Sequence, residues 1–301
     1  MYNVLPSVIF FCNFKTTIQH TSNMGVYRLI RLNLVFALPI LFSSICCAQS
    51  ISFSGSRSQG LANASVCLKD VFSYHNNPAN LADQSALSFG LAYENRFLLK
   101  ELQHQSYALA MPLGRGVFSV GGNSFGYRDF RTFKNGIGYA MELLDALSVG
   151  VQINHQMIRI SGPYGSNQTL TGELGLAYEV SKNWRFGLAV FNLGRNMMVE
   201  EPRERYATSI RLGTAYKVSP MVLIVAELEK DILHPMRYKS GIEYQPSQNL
   251  LFRVGFATHP IELSFGLGWV FSSQYHLDFG TQYHQILGWS PNLSFRFDLK
   301  K

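Results

Sequence analysis

From residue 85 to the end of the chain, apolar and polar positions alternate. In 262–271, Leu263, Phe265, Leu267, Trp269 and Phe271 are interleaved with Glu262, Ser264, Gly266, Gly268 and Val270. In 86–94, Leu87, Phe89, Leu91 and Tyr93 alternate with Ala86, Ser88, Gly90, Ala92 and Glu94. In 292–300, Leu293, Phe295, Phe297 and Leu299 alternate with Asn292, Ser294, Arg296, Asp298 and Lys300. Successive side chains of a strand point to opposite faces, so each segment predicts a strand with one apolar face and one small or polar face. The same period returns, less cleanly, near 105–113, 117–125, 135–143, 147–155, 170–180, 184–192, 207–217, 222–229, 236–244, 250–257 and 275–283. That predicts fourteen strands over 85–301. Each strand and its connection then has about 15 residues, of which a tilted membrane strand needs about 9–11.

The composition of the two faces selects the environment. A soluble sandwich would bury the apolar face and carry Lys, Thr and Glu on the other. Here the second face is built from Gly, Ala and Ser, with charges at Glu94, Glu142, Glu173, Arg185, Arg211, Glu227, Glu243, Arg253, Glu262, Asp278 and Arg296. A lipid-facing barrel has this inverted arrangement, apolar outside and small or polar inside. Closure also pairs every strand edge, which hydrocarbon demands. Tyr93, Tyr178, Trp184, Tyr216, Tyr244, Trp269 and Trp289, near strand ends, suit interfacial girdles. The connections alternate in length as well. Short ones at 113–116, 144–146, 181–183, 219–220, 246–249 and 272–274 interleave with longer ones at 95–104, 126–134, 157–169, 193–206 and 230–236, with 258–261 a short exception. Short periplasmic turns opposite longer external loops are the outer-membrane pattern. A secreted soluble β-protein, the competing reading, needs no such alternation. The expected fold class is therefore all-β: a 14-stranded antiparallel transmembrane β-barrel in a bacterial outer membrane, in contact with its lipid.

The first 48 residues differ. They contain no Asp or Glu, and Arg28 and Arg31 precede the apolar run Leu32 to Phe42, which ends in Ser43-Ser44-Ile45-Cys46-Cys47-Ala48. That order predicts a secretory signal peptide over 1–48, cut after Ala48. Met24 is an alternative start, which would make 1–23 an over-long leader. A single membrane anchor and a lipoprotein cut before Cys46 or Cys47 are the competing readings. Removal of the leader's three basic residues takes the net charge from +7 to +4 and leaves Cys67 as the only cysteine. The basic balance is then partly a property of the leader, and no nucleic-acid partner is expected. No intramolecular disulfide and no cysteine-based metal site can form.

Overall composition fits an ordered chain of low charge: 301 residues, 47% hydrophobic, 13% aromatic and 15% charged, against about 25% charged in an average soluble domain. Candidate chemistry is sparse. His104, His155, His234, His259, His276 and His284 lie in neither a Gly-x-Ser-x-Gly nor a His-Glu-x-x-His setting, and no phosphate loop or spaced metal-ligand cluster occurs. The expectation is a non-enzymatic protein with no metal and no cofactor. The mixed run Glu200 to Arg205 reads as a solvated loop. The suggestive constellation is the set of inward charges Glu94, Glu173, Arg185, Arg211, Glu227, Glu243, Arg253 and Glu262. Buried in a lumen, these require partners or water. They predict either a salt-bridge network pinning a plug or the polar lining of a substrate path.

Residues 49–84 do not alternate. They carry Gly55, Arg57, Gly60, Ala62 and Ala64, then Asp70, then Asn77-Pro78-Ala79-Asn80-Leu81. A small-residue segment of this length can fit inside a barrel, so 49–84 is expected to be a lumen plug and 85–301 the barrel. This segment resembles the N-terminal signature of the long-chain fatty-acid transporter (FadL) superfamily and its PorV/PorQ-type relatives in Bacteroidetes. Phe191-Asn192-Leu193-Gly194 and the closing Phe265-Gly266-Leu267-Gly268 to Phe295-Arg296-Phe297 agree with it. Cys67 and Lys69 depart from the small-residue run. The resemblance implies a fourteen-stranded barrel plugged by its N-terminal segment, with Asp70, Asn77, Pro78, Ala79 and Leu81 as plug or ligand-path residues. It implies a small hydrophobic ligand for a transporter or, for PorV/PorQ-type relatives, a secretion-system protein as partner in type IX export.

Overall fold

A computed structural model of the protein describes residues 54–162, 165–194, 197–199, 204–206, 208–232 and 234–299. The expected leader lies outside the described residues. The strands are β1 (Ser88–Asn95), β2 (Gln103–Leu113), β3 (Gly116–Gly126), β4 (Phe130–Leu144), β5 (Leu147–Ile160), β6 (Ser166–Ser181) and β7 (Trp184–Phe191). A small two-stranded ribbon follows, β8 (Met197–Val199) with β9 (Glu204–Arg205). Then come β10 (Ser209–Ser219), β11 (Val222–Asp231), β12 (Arg237–Ser247), β13 (Leu250–Ala257), β14 (Glu262–Phe271), β15 (Tyr275–His284) and β16 (Gly288–Asp298). Apart from the ribbon, these strands form one closed antiparallel barrel of fourteen, each segment of alternation supplying one strand. β1 closes the ring on β16, with Phe89 opposite Phe297 and Tyr93 opposite Leu293.

The period-two pattern becomes an inside and an outside. Leu91, Ile137, Ile153, Leu212, Ile242 and Phe265 all point outward and are exposed. Between them Ala108, Ala140, Ala177, Ala189, Ser264 and Ser294 point inward and are buried. An apolar exterior around a small, polar interior is stable only in lipid. Trp184 packs edge-on against Tyr216, and Trp269 stacks on Phe271, both near the short turns. Trp289 and Tyr283 pair toward the other rim, giving an aromatic edge at each end of the wall. The ladder register shifts beside four short turns, at Glu142/Leu144, Glu179/Ser181, Lys217/Ser219 and Tyr244/Ser247. A bulge there lets a tight turn follow the strand twist.

The long-loop side differs from expectation at two places. The segments 126–134 and 157–169 are mostly strand, because β4, β5 and β6 run to 15, 14 and 16 residues. Their connections shrink to 127–129 and 161–165. Outward Asn135 and His155 at the edge of these extensions and Gln168 within them are polar, so the hydrophobic alternation fades while the hydrogen-bond ladder continues.

Residues 54–84 fill the lumen. They form two short helices, α1 (Ser56–Gly60) and α2 (Ser73–Asn76), and a 3-10 helix, Pro78–Asp83. The inner wall accepts them because it lacks side chains where they pass. A methyl group at Gly121 would stand 2.6 Å from the Tyr74 ring, at Gly213 2.6 Å from Val66 Cγ1, and at Gly241 2.8 Å from Leu61 Cδ2. At Gly150 it would stand 2.7 Å from the Pro78 carbonyl oxygen, and at Gly280 2.6 Å from that of Ser56. The plug's apolar groups use two patches of this wall. Leu61, Val66 and Leu68 pack with Ala189, Phe191, Ala215 and Val225. Val71, Phe72, Tyr74 and Leu81 pack with Ala92, Ala108, Ala110, Val117 and Ala140.

These contacts predict that Gly150→Val displaces the plug without breaking the wall. Overpacking of this kind costs about 1–3 kcal/mol. The expected result is a folded, heat-modifiable barrel whose conductance in planar bilayers exceeds that of the parent. An unchanged conductance would mean that the 3-10 helix is not pressed against β5.

Candidate functional site

The plug is a string of small residues broken by polar ones, most of which find a partner on the wall or within the plug. Asn77 precedes Pro78, whose fixed backbone starts the 3-10 helix. Its side-chain oxygen accepts from the Ala79 amide (3.1 Å). Its amide nitrogen donates to the carbonyls of Val66 (2.8 Å) and Leu176 (3.1 Å), the latter on β6. Ala79 and Leu81 are fully buried. The Asp70 carboxylate accepts from the Phe72 amide (3.0 Å) and from Arg57 (3.3 Å). Asp70, Asn77, Pro78, Ala79 and Leu81 therefore all sit in the lumen as packed or capped groups.

The inward charges fall into clusters rather than one network. At the centre, Glu227 of β11 accepts from Arg211 of β10 (Nε, 2.7 Å; NH2, 2.9 Å) and from Lys239 of β12 (3.1 Å). Its second oxygen also accepts the plug amides of Ser65 (2.8 Å) and Val66 (2.9 Å). Arg211 in turn donates to the carbonyls of Asn76 (2.9 Å) and Asn63 (3.1 Å). All three charged side chains are inaccessible, at 0%. Buried charge is tolerable here because every partner is close and the remaining donors reach backbone oxygens.

A second cluster lies toward the short turns. Glu243 of β12 receives Arg57 of the plug (2.7 and 2.9 Å) and Arg253 of β13 (2.6 Å), and Arg253 continues to Asp278 of β15 (2.6 Å). These four residues, with Arg296 and His276, line a cavity of about 260 Å³ beside the β10–β11 turn. A third cluster ties the plug's end to β6 and β7. Arg185 donates to Asp83 (2.5 Å) and Glu179 (3.1 Å), and Lys69 pairs with the same two carboxylates. Elsewhere Glu94 accepts from Arg96 (3.1 Å), Glu173 pairs with Lys134, and Glu262 pairs with Arg237 and accepts from Gln282 (2.6 Å). The inward set thus lines the lumen; Glu94 also accepts from Gln59 of the plug (3.4 Å), whereas Glu173 and Glu262 pair with other wall residues.

Sequence reasoning missed Arg57, Lys69, Asp83, Lys134 and Lys239 as partners. Lys134 and Lys239 share the inward parity of Gly136 and Gly241, so alternation contained their placement. Arg57, Lys69 and Asp83 lie in the aperiodic plug, where no period marks a face.

Two apolar grooves lie on the outer wall. One, of about 510 Å³, is lined by Leu91, Tyr93, Tyr107, Phe133, Leu293 and Phe295 and also by Ala92, Ser106 and Asn123, whose parity is inward. Directly inside, Ser106 hydrogen-bonds Ser54, and His75 contacts the Tyr107 carbonyl oxygen (3.1 Å). The second groove, about 650 Å³, runs along the same strands nearer the short turns, past Leu87, Met111, Phe118 and Ile137.

Burial holds the His75 imidazole at about 3, with Lys134 and His104 pushing the same way. A displaced plug would carry a histidine near its ordinary 6.5. Acidification from about 6.5 toward 3 therefore protonates the released form first, and the packed form loses stability as pH falls through that window.

Neither a family model nor a curated protein matches the sequence. Among solved structures, the CymD monoaromatic hydrocarbon channel is 14% identical, with a TM-score of 0.64 over 84% of this chain and 100% of that one. The Ralstonia pickettii toluene transporter TbuX is 12% identical, with a TM-score of 0.64 over 83% of this chain and 100% of that one. A Pseudomonas aeruginosa FadL homologue is 11% identical, with a TM-score of 0.63 over 83% of this chain and 99% of that one. At these identities the likeness is one of fold: a closed fourteen-stranded outer-membrane barrel.

Two outcomes check the lumen. Arg211→Met leaves Glu227 and the plug carbonyls of Asn63 and Asn76 short of donors. Breaking one side of a buried pair costs about 3–5 kcal/mol, so plug protection from protease should drop while the barrel stays folded. Separately, conductance should rise between pH 7 and pH 4, and His75→Asn should flatten that rise.

Proposed function

We propose that the protein is a non-enzymatic outer-membrane barrel that binds and passes small hydrophobic molecules, with residues 54–84 as the element that must yield. The supporting observation is the groove at β1–β4. Its lining combines outward apolar side chains with small residues of inward parity, so a compound dissolved in the lipid would rest one strand thickness from the plug. The wall is thin there because Ala92, Ser106 and Gly121 offer little side chain. On the inner side lies Tyr74, held by hydrogen bonds to the Gly121 carbonyl (3.1 Å) and Asn154 (3.2 Å). Beyond the chain connection into β1, hydrogen bonds and ion pairs hold the plug to the wall among the described residues, so a shift of the plug is reversible.

The likeness in fold to a toluene transporter and a monoaromatic hydrocarbon channel supports a small aromatic hydrocarbon as the first probe. The secretion-docking reading gains nothing from these neighbours, which are channels and transporters.

The test is uptake of radiolabelled toluene by cells that carry the barrel and lack other hydrocarbon channels. Uptake should exceed that of barrel-free cells, and Ser124→Trp, whose side chain stands on the outward face of β3 in the groove lining, should return it toward background. Uptake no greater than in barrel-free cells, together with a stoichiometric protein partner on purification, would replace this proposal with the docking one.

A further inference from the structure

The β4–β5 hairpin carries an outward pair of like charges. Arg131 of β4 stands directly opposite Arg159 of β5 in the ladder. Phe130, Ile158 and Ile160, their chain neighbours, gather with Tyr206 in a small apolar cluster. Alternation then turns both guanidinium groups to the outer face, where both residues are exposed. Like charges directly opposite destabilise a strand pair unless something offsets them. Arg131 lies 5.9 Å from the Phe133 ring, and neither arginine has a carboxylate partner among the described residues. Exposed Arg128 in the adjoining turn adds a third positive charge against a single acid, Asp129.

Height locates this patch. Leu147 marks the short-turn end of β5, and Arg159 comes twelve residues later. At about 3.3 Å per residue and a tilt of about 40°, Arg159 stands about 30 Å above Leu147, whereas the apolar band of such a barrel is about 25 Å tall. The pair therefore emerges just beyond the hydrocarbon on the long-loop side, at the level of outer-leaflet headgroups. Polar groups lower on the same wall are already partnered: Asn135 accepts from Tyr107 (3.1 Å), and His155 bonds Gln168 (3.0 Å). Beneath the arginines, on the same face, come Phe133 and Met157, then the polar pair Asn135 and His155, then Ile137 and Ile153, an apolar track broken once.

We propose that Arg131 and Arg159 form a phosphate-binding site for a phosphorylated glycolipid of the outer leaflet. The two guanidinium forks would hold one phosphate between the strands, and the acyl chains would lie along the track below. Guanidinium suits this role because its paired donors match phosphate oxygens. A bound phosphate also offsets the cross-strand repulsion, so the lipid would stabilise the long β4–β5 hairpin. The apolar track favours a lipid over free phosphate.

The experiment is a native mass-spectrometric titration of the whole barrel, in detergent, with bisphosphorylated lipid A. Parallel titrations use fully dephosphorylated lipid A and excess inorganic phosphate as competitor. The expected result is retention of the phosphorylated lipid, with retention reduced about tenfold in the Arg131→Gln/Arg159→Gln double variant. The Arg131→Lys/Arg159→Lys variant, which keeps the charge and loses the paired donors, should retain less than the parent and more than the glutamine variant. Heat-modifiable migration checks that each variant is folded, and dephosphorylated lipid A should bind parent and double variant alike. Equal retention of the phosphorylated lipid by the parent and the folded glutamine variant would overturn the proposal. Complete displacement by inorganic phosphate would also overturn it, by making the site one for the free anion.

Discussion

In hydrocarbon no water is present to satisfy a bare N–H or C=O, and an unpaired backbone group there costs several kcal/mol. A chain that crosses lipid with strands must therefore close its sheet, and the β1–β16 seam does this. The other features of the wall follow from closure. Antiparallel order puts successive turns on opposite sides, and an even number of strands returns both ends of the wall to the same side. One face of every strand meets lipid and the other meets the lumen. Leu, Ile and Phe take the first face and leave the second to Gly, Ala and Ser, because the second face has to admit a chain segment rather than solvent.

The lumen obeys the opposite logic. Inside, the wall cannot satisfy the plug by strand pairing, since the wall's own ladder is complete. The plug has only short helices, so many of its amides and carbonyls lack partners of their own. Charged side chains supply them. Glu227 accepts two plug amides, while Arg211 donates to two plug carbonyls and Lys239 to one of them. With Glu229, which pairs with Lys239, they balance two cations against two carboxylates and serve as side-chain substitutes for missing secondary structure. This explains why the charges occur at scattered inward positions rather than in a continuous stripe. Arg211, Glu227 and Lys239 sit where the plug backbone turns away from its own hydrogen bonds, whereas Glu173 and Glu262 pair with other wall residues.

The barrel was largely legible in the sequence, because alternation is a direct imprint of a two-faced wall. Strands β13 and β14 fall where Leu250 to Ala257 and Glu262 to Phe271 place them. The extended ends of β4, β5 and β6 were not legible. Hydrophobic contrast between faces disappears beyond the apolar band, although backbone pairing persists. The inward placement of Glu173, Arg185 and Glu227 could be read from parity, but their partners could not. Arg57 and Asp83 come from a segment without period, and contact across the lumen depends on its path. Asn77-Pro78 could be assigned to the plug from its motif. That its side chain would bridge Val66 and Leu176 depends on where α2 ends inside the barrel.

Most neighbouring strands in the ring are also neighbours in the chain, so their pairings form hairpin by hairpin at small entropic cost. The seam is different: Ser88 meets Asp298 only after nearly the whole wall has been synthesised. The plug lies immediately before β1, with Asp83 and Ser88 separated by four residues. During assembly the wall must curl around a segment that is already tethered at its first edge. The plug therefore acts as a mandrel, its girth matched to the curvature that the fourteenth strand has to complete. Lengthening the tether would loosen that match and make the order of assembly, rather than the final contacts, decide which side of the wall the segment occupies.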